Sequence, residues 1–315
     1  MLRIEQELAG SSPDRETVLT IGVFDGVHRG HHHLVSRLKA LAKESRRLAG
    51  VVTFRNHPAS VLSPDFNPTY LTGIDERLRL LKGLGVDFVV PVSFDEELSH
   101  LRAAEFAGLL HDRLKMKVLA IGSDFTMGRG RDGNAETLAA LGTEIGFTVS
   151  VVEPLIDDAG HAVRSTTIRE ALAEGNVAHV SELLGRNFAL NGTVVRGAGR
   201  GRPLGFPTAN LELARGMAVP GDGIYAAWCS VSGQRHMAAT SIGVRPTFGE
   251  GEHTIEVFVL DFHGDLYGQE VRLELVRRLR DEVKFDTARE LQDQVRRDVD
   301  QTRAILGPSS SRAER

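Results

Sequence analysis

The sequence predicts two successive folds in one chain: a Rossmann-like α/β domain on a parallel sheet, then a mainly antiparallel β-barrel with a C-terminal helix. Three observations predict this. Strand-like and helix-like segments alternate from Val18 to Val152, the pattern of buried strands covered by helices. Beyond residue 186 the helical periodicity stops, and strand-like runs follow with Gly- and Pro-rich connections. One amphipathic segment then spans Thr287 to Leu306. At 315 residues the chain is long enough for two domains. The expected boundaries are 1–186 and 187–306, with a Ser-rich, charged tail at 307–315 that reads as disordered.

Each element follows from local pattern. Val18–Phe24 is an apolar run and reads as the first strand. Leu34, Val35, Leu38, Leu41, Ala42 and Leu48 fall on one helical face. Val51–Phe54 is a second strand, Ile74–Leu84 a helix, and Val86–Val92 and Val118–Ile121 are strands with a helix over Ala103–Leu114 between them. Leu138–Ile145 and Val149–Val152 repeat the alternation, and two short helices, Thr166–Ala173 and Val177–Leu184, end at Gly185-Arg186. In the second part Phe188–Val195, Ile224–Val231, His236–Ile242, Thr254–Phe262 and Glu270–Leu275 read as strands of an antiparallel barrel or sandwich. Trp228 and its strand neighbours read as core, and the last helix uses Leu291, Val295, Val299 and Ile305 as its apolar stripe.

Composition excludes several classes. With 41% hydrophobic and 25% charged residues and a net charge of −4, the chain is an ordinary globular protein. It is not basic enough for bulk nucleic-acid binding, so a phosphate ligand must be met by local features. The single cysteine, Cys229, excludes an internal disulfide and a Cys-based zinc site. No run of 18 apolar residues occurs, and Met1 to Gly10 lacks the order of a signal peptide. A cytoplasmic protein with no membrane association is expected; oligomeric state is not legible.

The most informative stretch is Gly22-Val23-Phe24-Asp25-Gly26-Val27-His28-Arg29-Gly30-His31. It leaves a strand, turns through glycines and sets two imidazoles three residues apart where a helix begins. Gly22, Gly26 and Gly30 let the backbone approach phosphates closely, and the helix start offers free N–H groups and a positive dipole end. His28 and His31 can donate hydrogen bonds to a phosphate under attack. His32 and His33 read as solvated helix residues, and the four histidines lack the carboxylates a metal site would add at helical spacing. Further segments lie at strand ends or helix starts: Thr53 to Pro58, Leu71-Thr72, Gly122 to Gly130, and Arg164 to Arg169. In the last, Ser165 or Thr166 can cap a helix while Arg169 presents its fork to phosphate oxygens. His57 is open between a ligand contact and a residue that fixes the turn before Pro58.

In this order the motifs resemble the His-x-Gly-His nucleotidyltransferases. In their longer form they resemble the adenylyltransferase module of bacterial bifunctional riboflavin kinase/FAD synthetases, over roughly residues 15 to 186. The resemblance implies ATP and FMN as ligands, with His28 and His31 stabilising the α-phosphate. It places Gly22, Phe24, Asp25, Gly26, Gly30 and His57 in the nucleotide site. Gly122, Asp124 and Phe125 would hold adenine and ribose, and Ser165, Thr166 and Arg169 the triphosphate. Two positions depart from the family pattern: Arg164-Ser165 replaces paired serines, and Met127 stands where phenylalanine is usual. Residue 164 is left without a role.

A second constellation runs from Gly192 to Leu211. Gly197, Gly199, Arg200 and Gly205 belong to a flexible, cationic loop suited to folding over a polyphosphate. It is not a Walker A loop, because no Gly-Lys-Ser/Thr opens a helix. Phe206-Pro207-Thr208-Ala209-Asn210 follows, with a hydroxyl and a carboxamide on one side of an extended chain. Two neutral oxygens can help coordinate Mg²⁺ that takes its other ligands from ATP and water. Glu256 stands inside an apolar run, where an unpartnered glutamate is unusual. With Pro220–Ala226, Ile242–Phe248, Asp265–Gly268 and Arg280–Phe285, this set resembles the riboflavin kinase signature over residues 187 to 306. The resemblance implies riboflavin, FMN and ATP as substrates with Mg²⁺ at Thr208 and Asn210. Glu256 would be the general base toward the ribityl hydroxyl, and Gly197, Gly199, Arg200, Gly205, Phe206, Pro207 and Arg280 would contact substrates. Ser241 replaces the usual asparagine and Phe258 the usual histidine. The competing readings are a chain with one working module and a flavin-binding regulatory protein without turnover. A triphosphate cradle in each half, together with a base, favours catalysis.

Overall fold

The computed structural model describes residues 2–63, 65–67, 69–197, 205–244 and 253–307. Packing divides the chain into two compact units, Met1–Ser165 and Thr166–Arg315.

In the first unit β1 (Thr17–Gly22), β2 (Leu48–Phe54), β3 (Phe88–Val92), β4 (Met116–Gly122) and β5 (Thr148–Val152) form a five-stranded sheet in the order β3-β2-β1-β4-β5. All of its pairings are parallel. Successive side chains of a strand point to opposite faces, and each face acquires its own core. Leu19 and Ile21 of β1 pack with Ile4 and Leu8 of α1 (Arg3–Ala9), Phe106 and Leu110 of α6 (Ala103–Leu114) and Leu138 of α7 (Ala135–Ile145). Val18 packs with Val35 and Leu38 of α2 (Arg29–Glu44) and Leu81 of α4 (Ile74–Gly83). Fully burying each such side chain contributes roughly 1.5–3 kcal/mol. The sheet order reverses between β1 and β4, so the carboxyl ends of these strands flank the crevice where an open parallel sheet takes its ligand.

Three short helices, α1, α3 (Ala59–Leu62) and α5 (Glu96–His100), were not expected. They span too few residues to show a period. Leu48 belongs to β2 rather than to the helical stripe, because α2 ends at Glu44, with Ser45 as its C-cap, and Arg46 turns the chain at φ 55°.

The second unit begins with α8 (Ser165–Ala173), which crosses the division, and α9 (Val177–Leu184). The barrel strands are β6 (Phe188–Val195), β7 (Ala209–Leu213), β8 (Gly223–Val231), β9 (Gln234–Val244), β10 (His253–Val259) and β11 (Glu270–Arg280). They close in the order β10-β7-β6-β11-β8-β9, antiparallel throughout, so the fold is a barrel and not a sandwich. Helix α9 lies against β6 and β11. The packing division therefore falls at the first residue of α8 and ahead of α9, whereas the sequence placed the boundary after both.

Strand β7 was missed, since Asn210 and Glu212 interrupt its apolar pattern. Strand β10 stops at Val259, before a turn with Asp261 at φ 56°, rather than running to Phe262. Strand β11 continues beyond Leu275 because its pairing with β8 passes two irregularities. Cys229 is buried in the barrel and burial pushes its thiol up to about 11, which makes it a packing residue and not a nucleophile.

Helix α10 (Ala288–Leu306) packs against β8 and β9. Thr287 caps it, accepting from Glu290 N at 3.2 Å, while Glu290 returns a carboxylate oxygen to Thr287 N at 3.2 Å. Its most buried residues are Asp298, Thr302 and Leu306, not Val299 and Ile305. A polar residue on the inward face marks a position where chemistry overrides the hydrophobic pattern. Among the described residues no helix is long and apolar enough to cross a membrane.

Candidate active sites

In the first unit the turn after β1 is closed from below by Asp25. Its carboxylate accepts from the backbone N–H groups of Leu71 and Thr72, both at 3.0 Å. Thr72 Oγ1 in turn accepts from Gly26 N at 3.0 Å. His28 is then the N-cap of α2. Its Nδ1 accepts from His31 N, and His31 Nδ1 accepts from His28 N, each at 3.3 Å. The rings stack at 3.6 Å with 20° between planes, and Phe24 meets His31 edge-on at 5.0 Å. Because both Nδ1 atoms accept, the proton of each neutral ring sits on Nε2. The two rings thus form a braced pair of Nε2–H donors at a helix start. A side chain at Gly30 would place Cβ 2.9 Å from Val163 O and 3.0 Å from the His28 ring, so glycine is required there. Ser165 Oγ donates to Asp25 O at 2.9 Å, which ties the start of α8 to the same turn.

In the second unit the two-residue period of β10 turns Ile255 and Val257 into the barrel core and leaves Glu256 on the opposite face. In register, Glu256 lies between Asn210 of β7 and Ser241 of β9. Cross-strand neighbours of this kind have Cβ atoms about 4.5–5.5 Å apart. Thr208 Oγ1 donates to Glu256 Oε2 at 3.1 Å. Asn210 is seated against Gly197, where any Cβ would fall 2.0 Å from Asn210 Nδ2.

Two cavities meet at this point. One, of about 590 Å³, is lined by Glu256, Thr208 and Arg280, by the aromatic rings of Phe206, Phe258 and Phe285, and by the inner face of α10. The other, of about 450 Å³, is lined by Pro207, Thr208, Asp265 and Tyr267 among others. Thr208 belongs to both walls. Arg280 forks onto Asp298, Nε to Oδ1 at 2.9 Å and Nη2 to Oδ2 at 2.7 Å, and so fastens α10 over the larger cavity.

A FAD synthetase family model matches residues 11–167 and a riboflavin kinase family model matches residues 184–306. Proteins named bifunctional riboflavin kinase/FMN adenylyltransferase align along most of the chain. The Escherichia coli (strain K12) protein is 38% identical over 273 residues, 86% of this chain and 87% of its own. The Pseudomonas fluorescens protein is 38% identical over 300 residues, 95% of this chain and 96% of its own. The chain belongs to the bifunctional riboflavin kinase/FMN adenylyltransferase family. A crystal structure from Streptococcus pneumoniae, described as a macrolide-efflux protein, superposes with a TM-score of 0.85 and 33% identity, covering 93% of this chain and 95% of that one.

Several residues that the family resemblance singled out also have partners or structural parts of their own. Asp25, expected to bind nucleotide, is 2% exposed, and its oxygens are engaged in shaping the turn. Phe24 is buried and braces His31. His57 accepts from Ala59 N at 3.1 Å through Nδ1, and its own N–H meets Tyr70 Oη at 2.8 Å; it fixes the turn before Pro58. Arg164, the residue without a role, pairs with Asp124, an exposed ion pair of small energetic worth. Met127 is core, and Phe125 packs against it. Gly22 and Gly122 end β1 and β4 at the crevice. Gly205 turns at φ 80° just before Phe206 and Pro207. Thr166 and Arg169 lie on α8 in the second unit. Gly199 and Arg200, residues 245–248 of a later motif and the tail at 308–315 lie outside the described residues.

Sequence reasoning missed Asp298, whose only signal is its place on the inward face of α10, and left Thr72 without a stated part. Asp25→Ala is expected to lower stability by about 2–4 kcal/mol, because buried Leu71 and Thr72 N–H groups lose their acceptor; urea unfolding measures it. Arg280→Met leaves the buried Asp298 carboxylate without its charge partner and with only the Gln294 Nε2 bond at 2.9 Å, an expected loss of about 3–5 kcal/mol. Adding Asp298→Leu to that variant should recover most of the loss, since the unpaired charge is removed; thermal unfolding of both variants decides.

Among the described residues no group of three or more His, Cys, Asp or Glu is placed to hold a metal. Thr208 and Asn210 supply hard oxygen donors beside Glu256. That set fits Mg²⁺ only with phosphate oxygens completing its shell.

Proposed function

We propose that the two activities of the family are divided between the halves, riboflavin phosphorylation in residues 187–306 and FMN adenylylation in residues 1–186. The observation that carries the kinase assignment is Thr208, shared by both cavities and bonded to Glu256. Riboflavin occupies the larger cavity, its ring system among Phe206, Phe258 and Phe285, and ATP the smaller. Glu256 takes the proton of the terminal ribityl hydroxyl as that oxygen bonds to the γ-phosphorus. The bond from the γ-phosphorus to the β-phosphate oxygen breaks, and FMN and ADP result. Thr208 holds the carboxylate in place. Thr208 and Asn210 would help hold a Mg²⁺ ion, which would supply charge neutralisation when bound.

In the first unit the FMN phosphate oxygen bonds to the α-phosphorus of ATP while the bond to the β-phosphate oxygen breaks, giving FAD and pyrophosphate. This nucleophile is already anionic, so a strong base is unnecessary. His28 and His31 donate through Nε2–H to the α-phosphate oxygens as charge builds there. Ser165, bonded to the carbonyl of Asp25 in the same turn, contacts the leaving phosphates, and the Gly122–Gly128 loop holds the nucleoside. Incubation with ATP and Mg²⁺, first with riboflavin and then with FMN, tests the reading by chromatography. FMN and FAD are expected from riboflavin, and FAD from FMN. Absence of FAD from FMN would remove the adenylylation assignment.

A further inference from the structure

The turn that displays His28 and His31 has an unfavourable backbone. Phe24, Gly26 and Val27 lie at φ 53°, 79° and 39°. For a buried, β-branched residue such as Val27 this conformation is strained and persists only where the surroundings enforce it. The enforcing groups include one outside the histidine motif. Arg77, on α4, is 1% exposed. Its Nη1 donates to Val23 O at 3.0 Å and to Phe54 O at 2.7 Å, and its Nη2 to Thr72 O at 3.4 Å. These carbonyls come from three separate segments: the exit of β1, the last residue of β2 and the turn ahead of α4. Thr53 Oγ1 adds a second bond to Val23 O at 3.1 Å, and the Tyr70 ring lies 5.7 Å from the guanidinium.

A buried cation whose bonds go to main-chain carbonyls is costly, and as a stabilising device it is poor. Burial pulls its pKa down, while the charge of Asp25 opposes that shift. What the guanidinium supplies is geometry: a rigid planar fork holds several acceptors in fixed relative positions, whereas the rotatable donors of an ammonium on a flexible stem do not.

We infer that Arg77 is a positioning residue for AMP transfer: by pinning the carbonyls of Val23, Phe54 and Thr72 it sets the strained turn that aims His28 and His31. The inference rests on the assignment of those histidines to adenylylation. A displacement of about 1 Å in such a site can cost about a hundredfold in rate.

The test is Arg77→Lys in the full chain, assayed for FAD formation from FMN and for FMN formation from riboflavin, at a temperature where circular dichroism shows it folded. The expected result is a fall of about tenfold or more in kcat for FAD formation. KM for ATP and FMN should stay within about threefold, and riboflavin phosphorylation should be unchanged. A folded variant with a lower melting temperature but kcat within about twofold of wild type would overturn the proposal, since a purely structural role predicts that outcome. Thr53→Val keeps the question decidable if Arg77→Lys does not fold. It removes the second donor to Val23 O without changing shape, and its kcat for FAD formation should fall by about twofold or more; an unchanged kcat in that variant would overturn the proposal too. His28→Ala/His31→Ala run alongside separates the two levels. If that protein still makes FAD, the histidine assignment fails; if it does not while Arg77→Lys is fully active, only the role of Arg77 fails.

Discussion

Replacing His28 and His31 together by alanine is expected to abolish FAD formation while riboflavin phosphorylation proceeds at the wild-type rate. Loss of one preorganised donor to a developing phosphate charge typically costs about 10²–10³ in rate, and here both members of a stacked pair are lost. The two rings also cap α2 reciprocally. Removing them costs about 1 kcal/mol of helix stability as well, so the melting temperature must be measured beside the rate. His28→Asn distinguishes the effects, because asparagine is a good N-cap acceptor but cannot reproduce an Nε2–H at the same place. It should keep the stability and lose the activity. Retained FAD synthesis in the folded double variant would mean that the α-phosphate is stabilised elsewhere.

Glu256→Gln is the complementary experiment. General-base catalysis contributes about 10²–10⁴-fold, and the amide keeps shape and an acceptor for Thr208 while losing the ability to take a proton. FMN formation from riboflavin should fall by that factor, and FAD formation from supplied FMN should be unchanged. Riboflavin phosphorylation within about tenfold of wild type would transfer the role of base to another group. The two experiments together test separability: if either variant, shown to be folded, loses both steps, the division of labour is wrong.

The places where sequence reading fell short share a cause. Asp25 stands inside the most recognisable motif of the chain, and its type and position suit a ligand contact. Two of its partners, Leu71 and Thr72, lie 46 and 47 residues away, a distance over which no local pattern carries information. Arg280 is likewise expected to contact substrates, and only the approach of α10 shows that its fork also engages Asp298. Strand β7 escaped because its neighbours supply the barrel pairing that its own residues do not announce.

By itself the sequence determined the order of folds and the parallel and antiparallel character of the two halves, and it singled out the residues proposed to carry the chemistry: the histidine pair, the Thr208/Asn210 oxygens and Glu256. Periodicity and short-range turn chemistry are local properties, and these features are local. Only the tertiary structure decided the order in which the barrel strands close, that Thr208 stands in the wall of two cavities, and that Asp25, Thr72 and Arg77 form the frame beneath the histidines. Those are contacts between segments far apart in the chain, selected by packing and by the need of buried polar groups for partners.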